Sequence, residues 1–164
     1  MSEIRTTSGH LDGRGLRFGI VASRFNGRLV EPLIAGAVDG LVRHGVAPEA
    51  IHLVRVPGAW EIPQALEELA AAGGYDGLIP LGVVVRGETP HFDYICAACS
   101  QGCAAVSARH RLPVAFGVLT CDSSEQAAER CGGKAGNKGW EAALAVLEMA
   151  SLFSALGADG AERA

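Results

Sequence analysis

The densest group of side chains that could carry out chemistry lies in one stretch, R-G-E-T-P-H-F-D-Y at residues 86–94. Gly87, Glu88 and Thr89 come directly before a predicted helix, with Thr89 at its N-cap. Free backbone N–H groups at a helix N-terminus, with a hydroxyl beside them, form a good phosphate site. His91 follows in the first turn, where a neutral imidazole beside a bound phosphate can transfer protons near neutral pH. The alternative for this histidine is a surface position with no chemical role.

Two further positions suit a planar ligand that also carries hydroxyl groups. Phe25 and Asn26 follow the first predicted strand, where an aromatic ring can stack on a planar ligand and an amide can bind its heteroatoms. Trp60 and Glu61 follow the second strand, at a helix start where a carboxylate and backbone amides suit a polyhydroxyl or amide ligand. Structural roles remain open: Phe25 as a hydrophobic contact at a helix start, Glu61 as a charge favoured by the helix dipole, and Trp60 as packing or a subunit contact.

A third group is cationic. Arg130 closes a short predicted helix, and Lys134 and Lys138, the only lysines in the chain, follow it in a glycine-rich segment. Together these cations can bind an anion. The alternative for Arg130 is a charge that offsets the dipole at its helix C-terminus. The segment G-G-K-A-G-N-K-G lacks the G-x-x-x-x-G-K-[ST] pattern and does not follow a strand directly, so it is not a P-loop.

These groups need a scaffold, and the alternation of hydrophobic periods predicts one. The predicted strands are residues 16–22, 51–56, 77–85 and 114–120. The first predicted helix starts after residue 27. Three more run from about 60 to 73, from 90 to 109 and from 123 to 131, and the last runs from 139 to about 156. This alternation indicates a single three-layer α/β/α domain over residues 1–164, with a four-stranded parallel sheet and a frayed tail at 157–164. Ligands of such sheets bind at the carboxyl ends of the strands.

Composition and charge narrow the possible partners. The chain has 164 residues, a net charge of -4 and no block of like charges, which argues against nucleic acid and membrane surfaces. The first residues lack the apolar stretch of a secretory signal, and the longest uncharged run, 94–108, is too short to span a bilayer. Five cysteines, an odd number, fit a reducing cytoplasm. Cys96, Cys99 and Cys103 share one helix face and are expected to be buried thiols, with no metal bound.

Five motifs follow one another from about residue 15 to 153: S-R-F-N, V-P-G-A-W-E-I-P, R-G-E-T-P-H-F-D-Y, F-G-V-L-T and E-Q-A-A-E-R-C-G-G-K-A-G-N-K-G-W-E-A-A. In this order and spacing they resemble the lumazine synthase family, the penultimate enzymes of riboflavin biosynthesis. The resemblance implies a flavodoxin-like fold. It also implies condensation of 5-amino-6-(D-ribitylamino)uracil with 3,4-dihydroxy-2-butanone 4-phosphate to 6,7-dimethyl-8-ribityllumazine, with release of phosphate and no cofactor.

The resemblance also assigns roles to individual residues. Phe25 is expected to stack on the pyrimidine ring with Asn26 in the same pocket, and His91 is expected to transfer protons. The other matching residues of the same subunit are Ala59, Trp60 and Glu61 for the uracil and ribityl group, Val83, Val84 and Val85 for the pocket wall, and Gly87, Glu88 and Thr89 for the phosphate. Phe116, Arg130 and Lys138 match residues that an adjacent subunit contributes, with Arg130 on the phosphate and both cations in the catalytic group.

Family members form pentamers, and many assemble twelve pentamers into an icosahedral shell. We therefore expect a homo-oligomer of this kind, with small-molecule substrates and with riboflavin synthase as a further partner. Residues 5–11, in an N-terminal interface arm at 1–14, are expected to pair as a strand with a neighbour's sheet.

The rival hypothesis is a binding or storage protein that holds a lumazine or flavin on the same scaffold without turnover. His91 and Arg130 argue against it, because a pure binder needs no proton transfer at the phosphate. A flavodoxin-like redox domain lacks support, because no loop here is specific for a flavin phosphate.

Overall fold

The computed structural model describes residues 4–161, with side chains to residue 158. Its centre is a parallel sheet in the order β2-β1-β3-β4, formed by β1 (Phe18–Ser23), β2 (Ile51–Val56), β3 (Gly77–Val85) and β4 (Gly117–Cys121). The α-helices among these residues are α1 (Gly27–Arg43), α2 (Ile62–Ala72), α3 (His91–His110), α4 (Ser124–Arg130) and α5 (Lys138–Ala161). Helices α1, α4 and α5 cover one face and α2 and α3 the other, which confirms the predicted α/β/α layers.

Strands β1 and β3 form the middle of the core. Every residue of β1 is buried, and so is β3 as far as Val83. Phe18 and Ile20 pack with α1 and α5, whereas Val21 and Leu78 pack with α2 and α3, because successive side chains of a strand point to opposite faces. Burial on both faces explains why these strands have nearly continuous apolar sequences.

Pro80 lies within β3, although proline lacks the N–H group that a central strand uses for pairing. Two residues earlier, Leu78 bonds the segment before β4 with both of its backbone groups. Its N–H donates to Pro113 O at 2.9 Å, and its carbonyl accepts from Ala115 N at 3.0 Å. The backbone N–H and C=O groups of successive residues point to alternate sides of a strand. Pro80, two residues after Leu78, therefore also faces the β4 side, where it has no N–H to donate. The pairing is interrupted there until Gly117, so β4 begins three residues later than predicted.

Two stretches differ from the sequence prediction. The glycine-rich link after α4 forms a small antiparallel hairpin, β5 (Cys131–Gly133) and β6 (Gly136–Asn137). Gly132 and Gly136 have φ angles of 102° and 82°, a region that favours glycine and permits this tight reversal. Helix α5 continues to Ala161, so residues 157–161 are helical and the end predicted near residue 156 is corrected. Residues 157–161 contain two glycines, Gly157 and Gly160, and each costs a helix about 1 kcal/mol, which the neighbouring residues can offset.

The N-terminal segment from residue 4 to 17 forms no strand and packs on α5 instead. His10 N donates to Ser151 Oγ at 2.7 Å, and Ser151 Oγ donates to His10 O at 2.9 Å. The contact is close, since a Cβ on Gly9 would lie 2.1 Å from Glu148 O. Pairing of residues 5–11 with a neighbour's sheet concerns a second subunit and stays a prediction.

Helix α5 carries an apolar outer side. By length and composition Lys138–Ala158, with a mean hydropathy of 1.4, is long and apolar enough to cross a membrane, although it contains charged residues and is therefore not an uncharged run. Its inner side is nevertheless part of the core, where Ala143, Val146 and Leu147 are fully buried. Three large apolar side chains at helical spacing remain partly exposed outside: Met149, Phe153 and Leu156.

Candidate active site

A cavity of about 820 Å³ opens at the carboxyl ends of β1, β2 and β3, where parallel sheets bind ligands. Most residues predicted for one subunit's site line this cavity. They are Phe25, Ala59, Trp60, Glu61, Val83, Val84, Val85, Gly87, Thr89 and His91. The structure therefore brings together side chains that are up to 66 positions apart in the sequence (91 minus 25).

The loop after β1 presents Phe25 to this cavity. Its ring is 71% exposed, and its N–H donates to Pro57 O at 3.0 Å, which holds the loop against the segment after β2. Asn26 adopts the left-handed conformation, with φ 58°, and its Nδ2 donates to Val83 O at 2.8 Å. Asn26 is therefore engaged with β3 and does not line the cavity, unlike the placement that the resemblance implies.

The segment after β2 contributes a carboxylate. A 3₁₀ turn at Ala59–Glu61 leads into α2, and Glu61 Oε2 accepts a hydrogen bond from Gly58 N at 2.9 Å. This bond closes the turn and fixes the carboxylate, whose other oxygen remains available to a ligand. Trp60 beside it is 52% exposed, as expected for a side chain that contacts a ligand or another subunit.

The third wall is the loop between β3 and the N-terminus of α3. Gly87 and Thr89 line the cavity, whereas Glu88 is exposed outside it. Thr89 Oγ1 accepts a hydrogen bond from His91 N at 3.4 Å, and α3 begins at His91, one residue later than predicted. His91 is exposed in the first turn of α3 and lines the cavity together with Gly87 and Thr89, where the positive end of the helix dipole favours an anion.

Arg86 holds this loop in place. Its Nε donates to Asp122 Oδ1 at 2.8 Å and its Nη1 to Asp93 Oδ1 at 3.2 Å, so it joins the end of β3 to the loop after β4 and to α3. The hydrogen bond to Asp122, followed by that to Asp93, raises the pKa of Arg86 further. Its guanidinium also lies 4.3 Å from the ring centre of Phe92. The loop between β3 and α3 is thus held by ionic hydrogen bonds on two sides.

The cationic residues line a different, smaller cavity of about 260 Å³. It lies along β4, an edge strand of the sheet, and contains Phe116, Arg130 and Lys138. Arg130 Nη1 donates to Gln126 O at 2.8 Å, and Lys138 Nζ lies 2.6 Å from Glu141 Oε2. Within one chain these three residues do not line the cavity that holds His91. Lys134 pairs with Glu129 at 2.8 Å and lines neither cavity.

The cysteines are packing residues in this chain. Cys99 and Cys103 are buried on α3, and Cys121 and Cys131 are buried near α4, while Cys96 is half-buried. Burial raises the pKa of Cys131 to about 11 and also raises the pKa of Cys96 and Cys121, so these thiols stay protonated at neutral pH. The described residues contain no group of three or more potential ligands that could hold a metal ion.

Comparison with known proteins identifies the family. The family model described as 6,7-dimethyl-8-ribityllumazine synthase matches residues 15–154, a range that contains both cavities. The chain belongs to the lumazine synthase family. The 6,7-dimethyl-8-ribityllumazine synthase of Desulfovibrio desulfuricans is 52% identical over 156 residues, which cover 95% of this chain and 100% of that protein. The enzyme of the same name from Aquifex aeolicus is 58% identical over 148 residues, or 90% of this chain and 96% of that protein.

Five further residues, to which the sequence assigned no individual role, complete the lining of the larger cavity. They are Pro57, Gly58, Phe92, Tyr94 and Ile95. Tyr94, 71% exposed, is the most prominent. It could have been found, because residues three apart on a helix share a face and Tyr94 lies three positions after His91.

Proposed function

We propose that this protein is a 6,7-dimethyl-8-ribityllumazine synthase. It condenses 5-amino-6-(D-ribitylamino)uracil with 3,4-dihydroxy-2-butanone 4-phosphate in the penultimate step of riboflavin biosynthesis. The observation that carries the proposal is the 58% identity, over 90% of the chain, to a relative of that name. The larger cavity supports it, because it combines an aromatic ring, a carboxylate, a helix N-terminus and an imidazole.

Each part of the substrate pair has a suitable surface in this cavity. Phe25 offers an exposed ring for stacking on the pyrimidine, and the end of β3 offers backbone groups to its edge. Glu61 suits the ribityl hydroxyls, since an ionised carboxylate accepts hydrogen bonds. Gly87 and Thr89 suit the phosphate, because they line the cavity directly before the N-terminus of α3, where the helix dipole favours an anion.

The reaction needs proton transfer and stabilisation of a departing phosphate. One amine attacks the ketone carbon to form a carbinolamine, and loss of water gives an imine. A proton then leaves the adjacent carbon while the C–O bond to phosphate breaks, and the bonding electron pair departs with the phosphate. The resulting enol takes up a proton on its terminal carbon and becomes a ketone. The second amine then attacks this ketone carbon and closes the ring with loss of another water. His91 is the group placed to accept and return these protons, while alignment of both substrates supplies much of the acceleration.

The cationic part of the site is proposed to come from an adjacent subunit. Arg130 and Lys138, with Phe116, line a cavity on an open edge of the sheet, separate from the cavity of His91. A guanidinium binds phosphate in a bidentate manner and stabilises the charge that develops on it. Contact between the smaller cavity of one subunit and the larger cavity of the next would complete each site, and an isolated monomer would be inactive.

We further propose a cytoplasmic assembly of twelve pentamers in a shell, with riboflavin synthase as a partner. The outer side of α5 supports an oligomer, because Met149, Phe153 and Leu156 form an exposed apolar stripe of the kind that another molecule covers. Ile4 and Leu11 are also exposed, in keeping with an interface arm. Sedimentation velocity tests the assembly: a single large species supports the shell, and pentamers alone would contradict it.

The test of the activity mixes purified protein with both substrates and follows phosphate release together with lumazine fluorescence. Both signals should rise above the uncatalysed background and fall in Arg130→Ala. Lumazine binding without either signal would instead indicate a binding protein on this scaffold. Arg43→Ala is a matched control, because Arg43 is an exposed arginine at the end of α1 that pairs with Asp39 at 2.9 Å and lines neither cavity.

A further inference from the structure

The side chain of Asn137 joins two helices and lies next in the chain to Lys138, which lines the smaller cavity. Its Oδ1 accepts hydrogen bonds from Gly139 N at 2.9 Å and Trp140 N at 3.2 Å, which caps the first turn of α5. Its Nδ2 donates to Pro32 O in α1 at 2.9 Å, across 105 positions of sequence. One amide therefore uses both of its ends to hold α5 to α1.

Two glycines make this junction tight. A Cβ on Gly36 of α1 would lie only 2.4 Å from Asn137 Oδ1, and a Cβ on Gly139 would lie 1.9 Å from Leu33 O. Real Cβ atoms do not approach this closely, so the absence of side chains at both positions lets the amide reach the α1 backbone. The position of Asn137 is thus set by contacts on several sides.

Both cations of the smaller cavity are close to Asn137 along the backbone. Lys138 is its neighbour in the chain, and Cys131, which follows Arg130, is its pairing partner in the hairpin of β5 and β6. The other partners that the structure gives these two side chains lie within four residues in sequence: Gln126 and Glu129 for Arg130, and Glu141 for Lys138. Such local contacts fix a side chain relative to its own helix, and not relative to the sheet.

We propose that Asn137 is a positioning residue that sets Arg130 and Lys138 for the phosphate-bearing substrate. The inference rests on the proposed function of the smaller cavity. Asn137 acts through the backbone of its neighbours. Its hydrogen bond to Pro32 O fixes the position of Arg130 and Lys138 relative to α1 and the sheet on which α1 packs. The cap on α5 is a separate contribution, because serine can also provide it while being too short to reach α1.

Asn137→Ser tests this separation. It keeps the cap and loses the bond to Pro32, so KM for 3,4-dihydroxy-2-butanone 4-phosphate should rise by about five- to tenfold while KM for the pyrimidine stays unchanged. Gly36→Ala should reproduce the effect by displacing the amide without removing a polar group. Ser107→Ala is the control, since it deletes a comparable side-chain bond, to Leu112 O at 2.8 Å, far from both cavities. It should lower the melting temperature and leave both KM values unchanged.

Binding of inorganic phosphate, measured by titration calorimetry on the assembled protein, separates this inference from the proposed function. Weaker binding in Asn137→Ser and Gly36→Ala than in wild type and Ser107→Ala supports it, whether or not wild type turns over. Absent turnover in wild type would contradict the proposed function alone. Equal phosphate affinity in all four proteins, or a parallel rise of both KM values, would overturn the role of Asn137.

Discussion

Mixing two inactive variants in one assembly tests whether two subunits build each site. Gly87→Trp should block the larger cavity without strain, because Gly87 lines it, lies outside the left-handed region and has open space where a Cβ would stand. Arg130→Ala removes a charge-assisted contact to phosphate worth about 1.5–3 kcal/mol. That loss corresponds to a fall in kcat/KM of about 10- to 150-fold, so each variant alone is nearly inactive.

An equal mixture of the two variants, co-expressed or refolded together, has a calculable activity. A working site needs an Arg130→Ala subunit, whose larger cavity is open, and a Gly87→Trp neighbour, which still supplies Arg130. In an equal mixture the chance of each is one half. About a quarter of the sites should therefore recover full activity in a closed ring. Phosphate release is measured below KM, with each variant carried through the same treatment alone. If both residues served one subunit's own site, the mixture would stay below about a twentieth of wild type, and the two-subunit site would be refuted.

Three further predictions concern single residues. His91→Ala should lower kcat by roughly tenfold, less than the usual acid–base contribution of about 10²- to 10⁴-fold, because alignment supplies much of the rate; steady-state kinetics with unchanged kcat would contradict the role. Hydrogen bonds from His110 and Arg109 of α3 lower the pKa of Glu67 from 4.5. The ionised carboxylate therefore stabilises the fold fully above pH 4.5, and this stabilisation is lost as the pH falls through the lowered pKa. The melting temperature of Glu67→Gln should therefore drop less in acid than that of wild type, and equal drops would argue against the linkage. Gly139→Ala, whose Cβ would lie 1.9 Å from Leu33 O, should lower the free energy of unfolding by about 1–3 kcal/mol in denaturant titrations, whereas Gly157→Ala, in open space, should not.

The sheet could be predicted because its strands carry local signals. β3 is an apolar run whose burial on both faces is a property of the run itself, and its predicted bounds agree with the structure. Ser123 likewise accepts a hydrogen bond from Gln126 N at 3.3 Å and caps α4, as the spacing of the two residues predicts. The rule that ligands bind at the carboxyl ends of parallel strands predicted the loops after β1, β2 and β3 that border the larger cavity, but the loop after β4 does not line it. The assignment of Ala59 and of residues 83–85 to the site came from the family resemblance.

The remaining features depend on contacts between distant residues. Nothing near Asn26 in sequence indicates that its amide would bond to Val83, 57 positions away. The hairpin of β5 and β6 is too short for a hydrophobic pattern, and it is held in part by the junction of Asn137 with Pro32. The late start of β4 likewise depends on where Pro80 of β3 happens to face. These are tertiary constraints, which local periodicity does not encode.

Helix α1 has a consequence for cooperativity. It begins directly after Phe25 and Asn26 at the larger cavity, and about 8 Å along its axis Pro32 holds the residue next to Lys138 of the smaller cavity. In the proposed ring, this one helix would contact two catalytic sites, its own subunit's and that of a neighbour. Any shift of α1 on substrate binding would be passed around the ring, and it would appear as a Hill coefficient different from one.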